Sequence, residues 1–378
     1  LGGIFGAYVE GEFASGANTQ GGVPSSSVLH QAYVDFNPTT WARLRAGQFK
    51  PQFGLENTMA TWHHDFQERS LEFGLMQSFL FDRGVMVHGT PFAGGYYGLS
   101  VTNGTGTNID EGQRTAPEAQ ADGKDVVLRL TGNAATWAEL PDWVVHLGGN
   151  YRYGEVANGG GLGYTAPTAQ TEVRGLVFFN PQPFNDATGT AGSETIRREI
   201  GGLEAALAYR SVKLQGEYFR ASYAGQLPAP GTAFDRKIDT GYLQFNWLLT
   251  GELFADAYRN GIFGRIKPRN PFALGHESGW GALEAGLRYS FWDASDFTAG
   301  NLPFTGQLGP GVSTQAPRVT TSTNAARAFT LGLKWMPTAY VAYYLNYVRT
   351  TFDTPVTANG KALDREDAVV MRVQLDFF

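Results

Sequence analysis

Lysine and arginine recur on the polar phase of alternating segments. Arg43 and Arg45 oppose Ala42, Leu44 and Ala46; Arg129 opposes Leu128 and Leu130; Arg152 opposes Tyr151 and Tyr153; Lys213, Arg288, Lys334 and Arg372 fall on the same kind of row. Cations repeated along one face of a sheet can act as exchangeable sites for an anion, because a phosphate leaving water must be met by charge and donors along its path. Glu10, Glu12, Asp35, Glu204, Glu217, Glu284 and Asp376 share that face. The mixture fits a selective lining and a structural ladder of ion pairs equally well.

A second group lies in one connection. Residues 51–80 carry Phe53, Leu55, Met59, Trp62, Phe66, Leu71, Phe73 and Leu75, too many apolar side chains for a solvated loop. The segment is therefore expected to fold into the space that the strands enclose and to narrow it. An external cap at a subunit interface is the alternative. Its polar candidates are Lys50, just before it, and Glu56, His63, His64, Glu68 and Arg69. The two histidines could add positive charge at mildly acidic pH, although adjacent histidines on a loop more often pack and hydrogen-bond. His63, His64 and Asp65 could mimic a metal site or part of a serine-hydrolase set, but no serine is nominated. The Gly-x-Ser-x-Gly, His-Glu-x-x-His and Gly-x-x-x-x-Gly-Lys patterns are absent. The run Gly159-Gly160-Gly161-Leu162-Gly163 is followed by no Lys-Ser/Thr and no helical pattern. No catalytic residue, metal site or cofactor is expected.

The elements that must hold these residues follow from composition and rhythm. With 49 glycines, 13% aromatic and 17% charged residues in 378, the chain departs from ordinary globular usage. Mean hydropathy is −0.23, and no run approaches the roughly 18 apolar residues that a membrane helix needs. A barrel strand needs only about ten residues with every second one apolar. Cysteine is absent, which removes disulfides and thiolate metal sites and is compatible with an oxidising compartment. A net charge of −6 gives no reason to expect nucleic acid. Leu1 opens directly into patterned sequence, so any signal peptide is expected to lie outside these residues.

Near the start, Phe5, Ala7, Val9, Gly11 and Phe13 alternate with Gly6, Tyr8, Glu10 and Glu12, putting one set on lipid and the other in a lumen. The same period of two recurs at 28–36, 41–50, 81–90, 94–103, 124–133, 143–154, 194–210, 211–223, 238–249, 280–292, 325–335, 340–352 and 368–378, fourteen segments in all. Short turns such as 37–40, 91–93 and 336–339 interleave with long Gly/Pro/Asn/Thr-rich loops such as 293–324, which is the signature of a transmembrane barrel. The rhythm breaks at 250–279, where a hidden hairpin would restore it. Trp41, Trp143, Trp247, Trp280, Trp292, Trp335 and Tyr340 stand where interfacial girdles would lie. A soluble sandwich or propeller also alternates, but seldom needs such aromatics at strand ends, and closure removes exposed sheet edges.

The final segment alternates Met371, Val373, Leu375 and Phe377 with polar residues and ends in Phe378. It resembles the C-terminal recognition signal of outer-membrane barrels, with Phe377 rather than Phe378 in phase. Two further blocks are similar to the phosphate-selective porin family, the O/P type of Gram-negative bacteria. The first is Ala46-Gly47-Gln48-Phe49-Lys50-Pro51-Gln52-Phe53-Gly54-Leu55-Glu56 with Glu68-Arg69-Ser70. The second runs from Leu249-Thr250-Gly251-Glu252 through Gly264-Arg265-Ile266-Lys267-Pro268 and Pro271-Phe272 to Arg288-Tyr289-Ser290.

That resemblance implies a barrel of about sixteen strands, a homotrimer in the outer membrane, and a pore whose cations attract phosphate or polyphosphate. Two strands beyond the fourteen could come from a missing N-terminus, from 250–279, or from a hairpin around 171–179. The family carries a phosphate-binding lysine in its constriction loop, whereas 51–80 has no lysine and only Arg69.

The reading is a single all-β domain over residues 1–378, an antiparallel transmembrane barrel with long extracellular loops, short periplasmic turns and residues 51–80 as constriction loop. It would give passive diffusion to small hydrophilic solutes, with an anion preference carried above all by Arg43, Arg45, Arg129 and Arg288. Outer-membrane lipid, lipopolysaccharide and small anions are the expected partners. Asp110-Glu111 and Asp364-Arg365-Glu366-Asp367 are expected on outer loops, solvated or beside divalent cations and lipopolysaccharide. The alternatives are a non-selective or weakly cation-selective porin and a plugged barrel that presents its loops to a partner.

Overall fold

The computed structural model describes residues 3–12, 28–77, 80–104, 123–157, 166–181, 184, 195–226, 233–273, 279–297, 322–358 and 360–376. Fourteen of its strands form one antiparallel sheet, every neighbour adjacent in chain order. They are β1 (Phe5–Glu12), β2 (Val28–Phe36), β3 (Arg43–Phe49), β4 (Asp82–Gly89), β5 (Gly95–Thr102), β6 (Asp125–Asn133) and β7 (Trp143–Ala157), then, after the short β8 (Ala169–Gln170) and β9 (Val177–Phe179), β10 (Thr195–Tyr209), β11 (Val212–Gln226) and β12 (Ala233–Leu248). After β13 (Tyr258–Arg259) and β14 (Ile262–Phe263) the sheet resumes with β15 (Ala282–Asp293), β16 (Ala325–Thr338), β17 (Val341–Ala358) and β18 (Lys361–Leu375). Each sheet strand corresponds to one of the fourteen segments expected from alternation.

The burial pattern is inverted relative to a soluble protein. Leu203, Leu207, Leu147, Leu243, Val369 and Met371 are exposed on one face, while Arg129, Arg152, Glu204, Arg288 and Glu284 are buried on the other. Exposed apolar surface on this scale needs a nonaqueous neighbour, and a sheet that is apolar outside and charged inside is a membrane barrel wall. Curvature is visible in the contacts of the segment after β3. Its residues bond to side chains on β7, β11, β15, β16 and β18, so the sheet wraps around it.

The two places proposed for extra strands do contain hairpins, but not wall hairpins. β8 pairs only with β9, and β13 only with β14. Both are two to three residues long, too short to cross a membrane, where about ten residues are required. Both project into the lumen: Tyr258 Oη lies 2.7 Å from His146 Nδ1, and Phe178 packs edge-on against Trp292. The sheet among the described residues thus has fourteen strands, not sixteen.

Two further expectations change. Trp292 is 1% exposed and faces inward, because its even position puts it on the same row as Arg288 and Ser290; it belongs to the lumen packing, not to a girdle. Asp364 to Asp367 lie within β18 instead of a loop, since β17 and β18 continue pairing to Ala358 and Lys361. Asp110, Glu111, Gly159 to Gly163, Phe377 and Phe378 fall outside the described residues.

Candidate functional site

Lys50 to Gln77 enter the lumen directly after β3, and the entry is built on Gly54. Its φ of 73° suits glycine, and a Cβ there would meet Glu217 Oε1 at 2.9 Å and the Phe219 ring at 3.1 Å. The amide of Gly54 donates to Asn150 Oδ1 at 2.8 Å, and the amides of Leu55 and Glu56 donate to the Glu217 carboxylate at 2.5 and 2.7 Å. A carboxylate taking two successive amides fixes the start of the short helical turn Leu55–Thr58.

Farther along, Glu56 bridges the segment to the wall. Its Oε2 accepts from the Ser70 amide and hydroxyl at 2.9 Å each, and its Oε1 accepts from Arg288 at 2.9 Å. Arg288 also donates to the Glu68 carbonyl at 2.9 Å and to Glu172 at 2.8 Å, with its guanidinium 4.6 Å from the Phe66 ring centre. Lys213 reaches Asp65 at 2.7 Å and Lys334 the carbonyl of His64 at 2.9 Å. Apolar packing completes the anchoring. Phe53, Leu71, Leu75 and Met76 join Phe178, Phe179, Phe219 and Trp292 in one cluster, while Leu55 and Met59 join Leu248, Phe254, Phe263 and Met336 in another.

These contacts occupy most of the cations singled out from the sequence. Arg129 is fully buried, bonded to Glu204 at 2.6 Å and to the Gly261 carbonyl of the β13–β14 hairpin at 2.7 Å. Arg152 is fully buried on Asp125 at 2.6 Å. Arg288 and Lys213 are 1% exposed. Arg45 is half-buried, forks onto Asp35 at 2.8 and 2.9 Å and covers the Tyr33 ring at 3.7 Å. Arg43 is half-buried, and its Nε has no hydrogen-bond partner.

Like Lys334 on the His64 carbonyl, three further cations are held without a carboxylate. Lys50 donates to the carbonyls of Asn57 and Met59 at 3.0 and 3.3 Å, Arg69 to Thr61 Oγ1 at 3.2 Å, and Arg372 to the Gln67 carbonyl at 2.8 Å. None of these bonds goes to a carboxylate. Arg69 Nε and two nitrogens of Arg372 have no hydrogen bond at all. The three charges are close enough to feel one another. Burial, and then the Arg69 charge, bring the Lys50 ammonium down to about 7. Burial lowers Arg69 to about 10, with Arg174 and Arg372 pushing the same way against Glu56 and Glu68. His64 lies among them and is held well below its ordinary value by burial and by Arg69, Lys50 and Arg372. His63 is pushed down to about 4 by burial, Lys334 and Arg265. Neither histidine gains charge at mildly acidic pH, which corrects that expectation. Glu68 turns instead to Arg174 at 3.0 Å, and the Arg69 and Arg174 guanidinium groups lie 4.6 and 4.9 Å from the Phe73 ring centre.

Sequence reasoning missed Arg198, which shares Asp125 with Arg152 at 2.8 Å, and Glu172, which takes Ser290 and Arg288. Arg198 was detectable, because it stands between Ile196 and Ile200 on the inward row. Glu172 was not, because it belongs to no barrel strand.

The sequence matches the family described as phosphate-selective porin O and P over residues 3–377. No curated protein sequence matches it. Among solved structures, the fold is similar to an anion-selective porin from Comamonas acidovorans, with TM-score 0.52 and 13% identity over 99% of this chain and 84% of that one. It is also similar to OprB of Pseudomonas putida in a high-pH structure, with TM-score 0.52 and 11% identity over 93% and 74% of the two chains.

Proposed function

The chain belongs to the phosphate-selective porin O and P family, a family of outer-membrane channel proteins, and from that premise we propose that it passes small anions, phosphate among them, through a lumen narrowed by residues 51–80. The observation that carries the reading is the cationic cluster of Lys50, Arg69 and Arg372, whose hydrogen bonds leave guanidinium donors unused and reach no carboxylate. An anion entering it would find charge and fork-shaped donors without first breaking an ion pair. Lys50 takes the role that the family gives to a lysine of the constriction loop. It stands one residue before that segment, and its amine folds back over it onto Asn57 and Met59.

The paired arginines have a supporting part. Arg129, Arg152 and Arg288, sealed from solvent, hold the lumen segments against the wall, and Arg43 and Arg45 on β3 remain half-open flanking sites. Release from the cluster is eased when a second anion enters and repels the first, so binding stays reversible, as conduction requires. The functional unit in this reading is a homotrimer.

A plugged barrel is the second reading, favoured by the complete burial of Phe53, Leu55, Phe66 and Leu75 inside the lumen. Planar-bilayer recording separates the two. Anion-selective zero-current potential under a salt gradient, with chloride current blocked by added phosphate, supports the porin reading. Absence of conductance leaves the plugged barrel, and cation selectivity without phosphate block leaves a general porin.

A further inference from the structure

Phe66 lies in a recess of the wall that two glycines make. On β15 the inward row runs Glu284, Gly286, Arg288, and on β16 it runs Thr330, Gly332, Lys334. The two glycines face each other across the strand pair, so both inward rows are interrupted at one height. Neither has the left-handed backbone that would itself call for glycine, and glycine inside a strand weakens it unless something must approach closely. Here the Phe66 ring does. A Cβ on Gly286 would meet that ring at 2.9 Å, and one on Gly332 would meet it at 2.8 Å. Asn246 and Asn346, the register neighbours on β12 and β17, stand on either side of the glycine pair, and the Arg288 guanidinium is 4.6 Å from the ring centre.

The chain on both sides of Phe66 is tied down around this recess. The carbonyl of His64 accepts from Lys334 at 2.9 Å, the Asp65 carboxylate from Lys213 at 2.7 Å and Gln244 at 2.6 Å, the carbonyl of Gln67 from Arg372 at 2.8 Å and that of Glu68 from Arg288 at 2.9 Å. These bonds draw residues 64–68 toward the wall from β11 to β18, and hard contact between the ring and the glycine floor sets how near they come. Elsewhere in the lumen, β2 and β3 carry inward Asp35, Arg43 and Arg45 that are merely half-buried, so the open part of the passage lies on that side of the segment. We propose that the recess of Gly286 and Gly332 is the stop that fixes the width of the passage, and with it the largest solute admitted.

Carbon atoms pack at about 3.5–4.0 Å, so a methyl group on either glycine forces the ring back by roughly 1 Å. A close-packed interior transmits such a displacement instead of absorbing it, and the pinned segment is carried toward β2 and β3. The inference rests on a conducting lumen narrowed by residues 51–80 and on none of its anion chemistry.

The test is unitary conductance in planar bilayers together with the exclusion limit for neutral polyethylene glycols of graded size. Gly286→Ala and Gly332→Ala should each lower the conductance and shift the limit to shorter polymers, and the double variant should do so further. Phe66→Leu in the Gly332→Ala background should return both toward wild type, a rescue that a general weakening of the wall would not give. Gly201→Ala, at a strand glycine whose Cβ would meet nothing within 4 Å, should change neither. Phe66→Trp enlarges the occupant with both wall strands intact and should narrow the passage in the same sense, which covers glycine variants that do not fold. Unchanged limits in the glycine and Phe66→Trp variants, or a narrowing that Phe66→Leu does not reverse, overturn the proposal. The zero-current potential reads the anion preference separately. Cation selectivity with these shifts intact refutes that preference alone, unshifted limits in an anion-selective channel refute the recess alone, and a wild-type protein that conducts nothing refutes both.

Discussion

Arginine is used in two opposite ways inside this barrel. Along β6, β7 and β15, Arg129, Arg152 and Arg288 end on carboxylates and are closed off from solvent. At the end of β3 and on β18, Lys50 and Arg372 end on backbone carbonyls, beside Arg69, and keep their charge uncompensated by direct bonds. Desolvating a charge costs several kcal/mol unless it is paired, so the first set is fixed by its partners and serves as scaffold. The second set is held by neutral oxygens that leave its field intact, which is the condition for attracting a mobile anion. Charge in a lumen is therefore no guide to selectivity until its pairing is known.

The comparison breaks most readily at Arg288. Arg288→Met leaves Glu56 and Glu172 buried without their shared cation, and should destabilise the fold by about 3–5 kcal/mol, the usual consequence of removing one partner of a buried pair. Thermal unfolding in detergent micelles measures this, and single-channel recording should show larger, noisier conductance as residues 51–80 loosen. Unchanged stability would mean that Arg288 is not scaffold.

Lys50→Gln attacks the other side. It should weaken phosphate block of chloride current by about tenfold or more, the loss of one charge-assisted contact of about 1.5–3 kcal/mol, with little change in unfolding temperature. The same variant in a salt gradient should shift the zero-current potential toward zero.

Titration sharpens the difference further. With Lys50 brought down to about 7, its ammonium is present below that pH and lost above it. Chloride-over-potassium selectivity should therefore fall as pH rises from 6 to 8 and flatten below 6. Lys50→Arg should abolish the dependence. His63 and His64, lowered by burial, contribute nothing in that window.

The smallest effect is expected at Arg45, whose ion pair with Asp35 is half-open. Arg45→Gln should change stability by roughly 1 kcal/mol or less and reduce anion conductance modestly, read from unfolding curves and current–voltage slopes.

Much of the wall was legible in advance because its signal is local. A strand turns its side chains alternately to two faces, so Leu243, Phe245 and Trp247 against Gln244 and Asn246 reveal both faces within five residues. Even Arg198, which was passed over, stands on a readable row. The inner contents were less so. Arg288 meets Glu56 across 232 positions and Glu172 across 116, and nothing in the spacing of those residues singles out one carboxylate from the others on the inward rows.

The sequence by itself determined the strands, their order, which face meets lipid and which segment enters the lumen, because alternation, turn chemistry and apolar content act over a few residues. Only the tertiary structure decided that 171–179 and 258–263 are lumen hairpins instead of wall strands, that Arg129, Arg152 and Arg288 are bound to carboxylates, and that Lys50, Arg69 and Arg372 are not. Pairing depends on which distant groups share one desolvated space, and that is a property of the wall and its contents together.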